Sequence, residues 1–219
     1  MDMTADRWDY ISDYIDEVFG GEDDILRSAT AEADAAGLPP IAISASVGRL
    51  LMMLTRASGG SLAVELGTLG GYSGTWIARG LPENGRLITV EADEHHAEVA
   101  GRQFGRAGLA ERVEIRRGRA LDVLDDLASE VDESSVGLAF VDAEKVEYPE
   151  YARRLHALIA PGGFYVADNV LGTGGTWIGD LDHEGVAAID AHNRLVASWP
   201  DFDSVIVPLR QGVLVARRR

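Results

Sequence analysis

The chain has 219 residues, of which 46% are apolar and none is cysteine. One compact α/β domain with a sizeable core is therefore within reach, while disulfides, thiolate metal sites and cysteine nucleophiles are excluded. A formal net charge of −16 repels polyanions, so nucleic acid and anionic membrane make poor partners, though a mostly solvated acidic face names no substrate.

In chain order, the stretch Met1–Gly20 alternates acids and aromatics without a basic segment followed by an apolar one, and no apolar run approaches membrane-spanning length. A soluble, cytoplasmic protein is the expectation. Trp8, Ile11, Tyr14, Ile15 and Val18 recur at helical spacing until Gly20-Gly21 interrupts them. A second amphipathic segment runs from Asp24 to Ala36 and stops at Gly37, ahead of Pro39-Pro40. A third helix is predicted over Ser44–Ala57, with Val47, Leu50, Leu51 and Leu54 on one face.

From residue 61 short apolar runs alternate with helical stretches. Strands are predicted over Ser61–Leu66, Arg86–Glu91, Val113–Arg116, Val136–Val141 and Phe164–Ala167. The helices between them are predicted over Ser73–Arg79, Glu94–Ala107, Ala120–Ala128 and Tyr148–Ile159, the last ended by Pro161-Gly162-Gly163. Such alternation implies a parallel sheet covered on both faces. A final helix over Val186–Ser198 precedes Ser204–Leu209 and Gly212–Ala216, which are close enough to pair as an antiparallel hairpin. Arg217-Arg218-Arg219 is expected to fray. With no repeat and no linker, residues 1–219 read as one domain, in which 1–57 form a helical cap on a core of 58–219.

Ligands of open parallel sheets sit beyond the carboxyl ends of the strands. The first strand there runs into Val64-Glu65-Leu66-Gly67-Thr68-Leu69-Gly70-Gly71-Tyr72-Ser73. This glycine turn is neither the dinucleotide G-x-G-x-x-G nor a phosphate loop, and it is led by an acid with no basic residue near it. It would repel pyrophosphate and accept a cationic ligand. Glu91 ends the next strand, where an acid accepts from the ribose hydroxyls of an adenosine. Together the two features favour S-adenosylmethionine over NAD or ATP.

The fourth and fifth strands close as Val141-Asp142-Ala143-Glu144-Lys145 and Ala167-Asp168-Asn169. Neighbouring strands lie about 5 Å apart, so Asp142, Asp168 and Asn169 are expected to converge as an all-oxygen site suited to Mg²⁺. Lys145, partly desolvated beside them, is a candidate base. Taken singly, these residues would read as a surface lysine and a turn or helix cap. Trp177, Tyr148 and Trp199 are candidates to wall an aromatic pocket, and the glycine-rich Gly172–His183 segment a mobile substrate loop. His95 and His96 are expected to face solvent, and His156 and His183 show no ligand spacing.

The series Glu65–Ser73, Asp142-Ala143-Glu144-Lys145, Tyr148, Tyr151, Pro161-Gly162-Gly163 and Asp168-Asn169-Val170-Leu171 resembles the metal-dependent class I O-methyltransferases, the catechol and caffeoyl-CoA type with its small bacterial members. The likeness runs from Ile43 to the C-terminus. It implies a Rossmann-like fold: a seven-stranded, mostly parallel sheet with one antiparallel strand, helices on both faces and an N-terminal helical cap. It further implies S-adenosylmethionine in a pocket lined by Glu65, Gly67, Ser73, Glu91, Ala120 and Asp142. Asp142, Asp168 and Asn169 would be the ligands of a divalent metal, Mg²⁺ foremost, with Lys145 as base and a catechol-like or phenolic small molecule as acceptor. The N-terminal helices would shape the substrate mouth and a homodimer contact.

The chain departs from the family pattern at Glu144, where Asp is usual, at Asp190-Ala191-His192-Asn193, where Arg-x-Phe-Asn is usual, and at Gln211-Gly212, where Asp-Gly is usual. These changes bear on the substrate more than on the chemistry. Two other functions remain open at this level: methylation of a hydroxylated uridine in transfer RNA by the same fold, and a non-catalytic adenosine-ligand module. A dehydrogenase is disfavoured by the acid-led turn.

Overall fold

The computed structural model describes residues 5–219. Three helices come first, α1 (Ala5–Phe19), α2 (Asp24–Ala35) and α3 (Ala45–Ser58). Asp23 and Ser44 cap α2 and α3 by accepting from the backbone N–H groups of Leu26 and Val47. The core then alternates β1 (Leu62–Leu66), α4 (Tyr72–Gly80), β2 (Arg86–Glu91), α5 (Glu94–Arg106) and β3 (Val113–Arg117). It continues through α6 (Ala120–Glu130), β4 (Val136–Val141), α7 (Tyr148–His156) and β5 (Ile159–Ala167), and closes with α8 (Glu184–Ala197), β6 (Phe202–Val207) and β7 (Val213–Arg218).

The seven strands form one sheet in the order β3-β2-β1-β4-β5-β7-β6. All pairings among β1 to β5 are parallel, and β7 runs antiparallel to both of its neighbours. The expected Rossmann-like sheet with one antiparallel strand is therefore present. Both β1 and β4 are buried along their whole length, which is why they read as near-continuous apolar runs, broken in β1 only by Glu65, rather than as alternating ones. Val64, Leu66 and Val141 pack on one face against Leu124 of α6, Leu155 of α7 and Ile189 of α8. Ala63, Leu87 and Phe140 pack on the other against Leu51 of α3, Ile77 of α4 and Phe104 of α5.

Two sequence expectations are corrected. Helix α7 ends at His156 and β5 begins at Ile159, so Pro161-Gly162-Gly163 lies inside the strand and does not separate helix from strand. Pairing of Val136 with Ile159 is followed at once by pairing of Leu138 with Phe164, so the Pro-Gly-Gly residues are accommodated as an irregularity of register. Secondly, the terminal arginines do not fray. Arg217 and Arg218 belong to β7, Arg218 Nη1 donates to the Ile159 carbonyl at 2.6 Å, and the Arg219 N–H donates to the Asp201 carbonyl at 2.9 Å.

The order in which the strands are laid down reverses between β1 and β4, and the parallel register carries one residue beyond the strands there. Gly67 N–H donates to Val90 O at 3.0 Å, Asp142 N–H to Leu66 O at 2.9 Å and Asp168 N–H to Val141 O at 3.0 Å. The first residues past three strands thus stand in one row. At the opposite end, Gly60 and Gly137 touch where β1 and β4 begin, and a Cβ built on either would lie 2.6 or 2.8 Å from the other's Cα. Gly137→Ala should lower stability by about 1–3 kcal/mol, measured as a drop in urea midpoint at constant m value; an unmoved midpoint would show that the strands part freely there.

Candidate active site

A cavity of about 830 Å³ opens over the carboxyl ends of β1, β2, β4 and β5. Its walls include Gly67, Ser73, Glu91, Ala120, Asp142, Lys145 and Asn169, and the cap closes it with Ala29, Ala33 and residues 39–43. Glu65 and Asp168 lie beneath these walls, both with no exposed surface.

On the β1–β2 side the glycine turn is held down by acids. Gly67 has φ +95°, and a Cβ there would collide with the Asp142 carbonyl oxygen, so only glycine lets the two strand ends approach. Glu91 accepts from Leu69 N–H at 2.8 Å and from Asp93 N–H at 3.0 Å, which fixes the turn against β2. Thr89 donates to Glu65 Oε2 at 2.7 Å and lies 2.6 Å from the Thr68 hydroxyl. The other oxygen, Glu65 Oε1, is buried without a hydrogen-bond partner. Burial pushes the Glu65 carboxyl up to about 7; the Asp142 and Glu91 carboxylates add to the rise, and the Ser73 and Thr89 hydroxyls oppose it. A cationic group placed against Glu65 would offset that desolvation.

On the β4–β5 side a second cluster forms. Lys145 Nζ donates to Asp142 Oδ1 at 2.7 Å and to the Tyr148 hydroxyl at 2.6 Å. Tyr148 is fully buried, and its O–H faces the Asp168 carbonyl at 3.1 Å and the Val141 carbonyl at 3.3 Å. The ammonium is therefore fixed by a ring that is itself fixed to two strand ends. Neither carboxylate oxygen of Asp168 has a hydrogen-bond partner. Burial, with the neighbouring Asp142 acting in the same direction and Arg210 and Lys145 opposing, leaves the Asp168 carboxyl raised to about 6. Asn169 sits in the left-handed region at φ +57°, and its Nδ2 donates to Gln211 Oε1 at 3.0 Å. That bond commits the amide nitrogen and leaves the amide oxygen available.

Among the described residues no group of three or more His, Cys, Asp or Glu is arranged to hold a metal ion. The set here is smaller, two carboxylates and one amide. Its chemistry nonetheless fits a hard cation, because a fully buried carboxylate with both oxygens unbonded is costly unless a positive charge joins it.

The family described as O-methyltransferase matches residues 19–219. The chain belongs to this family. It is 42% identical over 207 residues to the catechol O-methyltransferase of Niastella koreensis, covering 94% of this chain and 93% of that one. It is 41% identical over 175 residues to the catechol O-methyltransferase of Mycobacterium tuberculosis, covering 80% and 78% respectively. Among solved structures, the O-methyltransferase of Bacillus cereus in complex with SAH superposes with a TM-score of 0.88 at 32% identity, covering 99% of this chain and 100% of that one. TomG of Streptomyces achromogenes in complex with SAM gives 0.86 at 34% identity, covering 99% of both chains.

Within this O-methyltransferase the three proposed pocket aromatics are elsewhere. Tyr148 is buried below the cavity, Trp199 packs in the core 4.8 Å from Phe202, and Trp177 is 52% exposed; none lines the cavity. Tyr72 and Tyr151 do. The apolar spacing of a helix cannot tell a core ring from a cavity ring, because both face inward. His95 is exposed, but His96 turns to the cavity, with Nδ1 3.7 Å from Glu91 Oε1. His192 of the unusual Asp190–Asn193 segment is buried, Nε2 lying 2.8 Å from the Tyr165 hydroxyl, and burial drops its pKa to about 4. Asn193 Nδ2 donates to Val170 O at 2.7 Å, so this segment supports the β5 end and does not touch the cavity. Thr173, Gly174 and Gly175 of the glycine-rich loop do line it, as does Arg210, which the sequence reading passed over.

The raised carboxyl of Glu65 has a defined sign. The folded protein binds the proton more tightly than the unfolded chain, so stability from this group is full below its ordinary value of 4.5 and is lost as pH rises through about 7. Glu65→Gln should flatten that decline in the ligand-free protein, measured as thermal midpoints across the same range; a decline identical to wild type would remove Glu65 as its source.

Proposed function

We propose that the protein transfers the methyl group of S-adenosylmethionine to a hydroxyl of a catechol-like or phenolic small molecule held at a divalent cation, Mg²⁺ being the natural choice. The observation that carries this reading is Asp168: fully buried, with both oxygens unbonded, and level with Asp142 and Asn169 across two adjacent strand ends. The named catechol O-methyltransferases among its relatives and the SAM- and SAH-bound neighbours support it.

In this reading the acid-led turn holds the donor. Glu65 faces the donor's positive charge, Glu91 takes the ribose hydroxyls, and Gly67, Ser73 and Ala120 give the close walls. Asp142 borders both halves of the cavity. A divalent cation on Asp142, Asp168 and Asn169 would lower the pKa of a bound hydroxyl. Lys145, acting from its neutral amine form, takes the hydroxyl proton at Nζ and becomes the ammonium that Asp142 and Tyr148 hold. The acceptor oxygen then bonds to the methyl carbon as the carbon–sulfur bond breaks, its electron pair returning to sulfur. Tyr148 positions Lys145, and the cavity walls supply orientation, which is where most of the rate arises in such a transfer.

Transfer of labelled methyl to catechol should be abolished by EDTA and restored by Mg²⁺, and Asp168→Ala should be inactive with or without added metal. Activity on every catechol that survives both treatments would overturn the metal reading. Lys145→Ala should lose about 10²–10⁴-fold in turnover, with the rising limb of the pH–rate profile displaced; an unchanged profile would remove Lys145 as the proton acceptor.

The reading extends to assembly and location, with a homodimer in the cytoplasm. Tyr10, Tyr14 and Val18 of α1 form an exposed stripe at helical spacing, at 71%, 51% and 50% exposure, where a second copy would pack. Among the described residues no helix is long and apolar enough to cross a membrane. Light scattering should give twice the chain mass, and Tyr14→Glu should give a single chain mass.

A further inference from the structure

Three basic side chains of the lysine and arginine type line the cavity, and two of them are satisfied. Arg119 donates to Glu147 Oε1 at 2.7 Å, and Lys145 to Asp142 and Tyr148. Arg210 makes no hydrogen bond among the described residues, and its Nη1 is buried without a partner. Its nearest carboxylate oxygen is Asp168 Oδ2 at 3.7 Å, beyond hydrogen-bonding distance. The side chain is 30% exposed, so most of a permanently charged fork of donors is enclosed beside the acceptor end of the cavity.

The backbone under this guanidinium is pinned. Arg210 has φ +50°, an unfavourable region for a non-glycine residue. It is held there by Gly212 N–H to Leu209 O at 2.8 Å, Leu171 N–H to Gln211 O at 2.7 Å and Val170 N–H to Gly212 O at 3.1 Å. The turn is thereby laced to the residues just past Asp168 and Asn169. Arg210 is a preorganised cation, not a free surface side chain.

We propose that Arg210 recognises a carboxylate on the methyl acceptor, which makes the preferred acceptor a catechol carrying an acid group. The inference rests on the proposed catechol reading of the cavity. Asp168 alone does not account for the guanidinium: a residue kept only to neutralise it would make the charge-assisted hydrogen bond that is missing here. Once Asp168 is committed to a divalent cation, the arginine's one ion-pair partner, at 3.7 Å, is shared with that cation, and among the described residues no other carboxylate pairs with it. A carboxylate matches its paired donors and restores the balance, whereas a neutral catechol leaves buried donors unmade.

The test is calorimetric binding, with S-adenosylhomocysteine and Mg²⁺ present, of protocatechuate and pyrocatechuate, each against its own methyl ester. Wild type should bind at least one acid about tenfold or more tightly than its ester. Arg210→Gln should erase that preference by weakening the acid, leaving the ester within about twofold of wild type. Arg210→Lys should keep part of the preference, and binding of S-adenosylhomocysteine to each variant reports an intact fold. Equal weakening of acid and ester by Arg210→Gln would overturn the proposal and leave Arg210 as a counterion of Asp168. Wild-type binding of esters as tightly as acids would overturn it while leaving the catechol reading in place. If no catechol of either kind bound, the catechol reading itself would fall, and this proposal with it.

Discussion

The parallel register between β1, β4 and β5 is the constraint on which the site depends. Each strand hands its neighbour one further backbone hydrogen bond after the strand proper has ended, so Gly67, Asp142 and Asp168 emerge at the same height. A shift of one residue in any of these pairings would turn an acid from the upper edge into the apolar core or replace it by an alanine. The register is in turn secured by cores on both faces, since β1 and β4 have no solvent-facing side along which to slip. Chemistry at the edge and packing in the interior are therefore one requirement.

That arrangement carries a cost that points to its ligands. Two acids, Glu65 and Asp168, are fully buried, and burial lifts both carboxyls well above their ordinary values. Each also has an oxygen with no hydrogen-bond donor. A fold selected for stability alone would replace them with amides or apolar groups. They make sense where positive charge arrives from outside, and the two halves of the cavity each provide one such place. The cations already present are unequal in this respect. Lys145 is held by Asp142 and Tyr148, while Arg210 stands near Asp168 without bonding to it.

Much of this was legible beforehand, for reasons that differ by element. The strand ends were legible because buried parallel strands are short apolar runs, and an acid that terminates such a run is conspicuous. Gly67 was legible because a turn that brings β1 against the β4 end admits no side chain. The β5 start was not, since Pro161-Gly162-Gly163 has the composition of a helix stop, and only the pairing of Ile159 with Val136 shows it to be an irregular strand. The arginines at the C-terminus were misread for a related reason: charge suggested fraying, whereas their backbone is the final strand and Arg218 bonds to Ile159.

By itself, the amino-acid sequence determined the order of elements, the parallel core with its antiparallel end, and the acids at the ends of β1, β2, β4 and β5. Local periodicity and turn chemistry suffice for these, because they depend on residues near one another in the chain. Tertiary structure alone decided which inward-facing rings meet the cavity, so that Tyr72 and Tyr151 line it while Trp199 belongs to the core. It also decided that Tyr148 fixes Lys145, that Gln211 orients Asn169, and that Arg210 from the β6–β7 turn reaches the β5 end. Those contacts join segments far apart in sequence, and they exist only because the last strand folds back against β5, an outcome that no local pattern encodes.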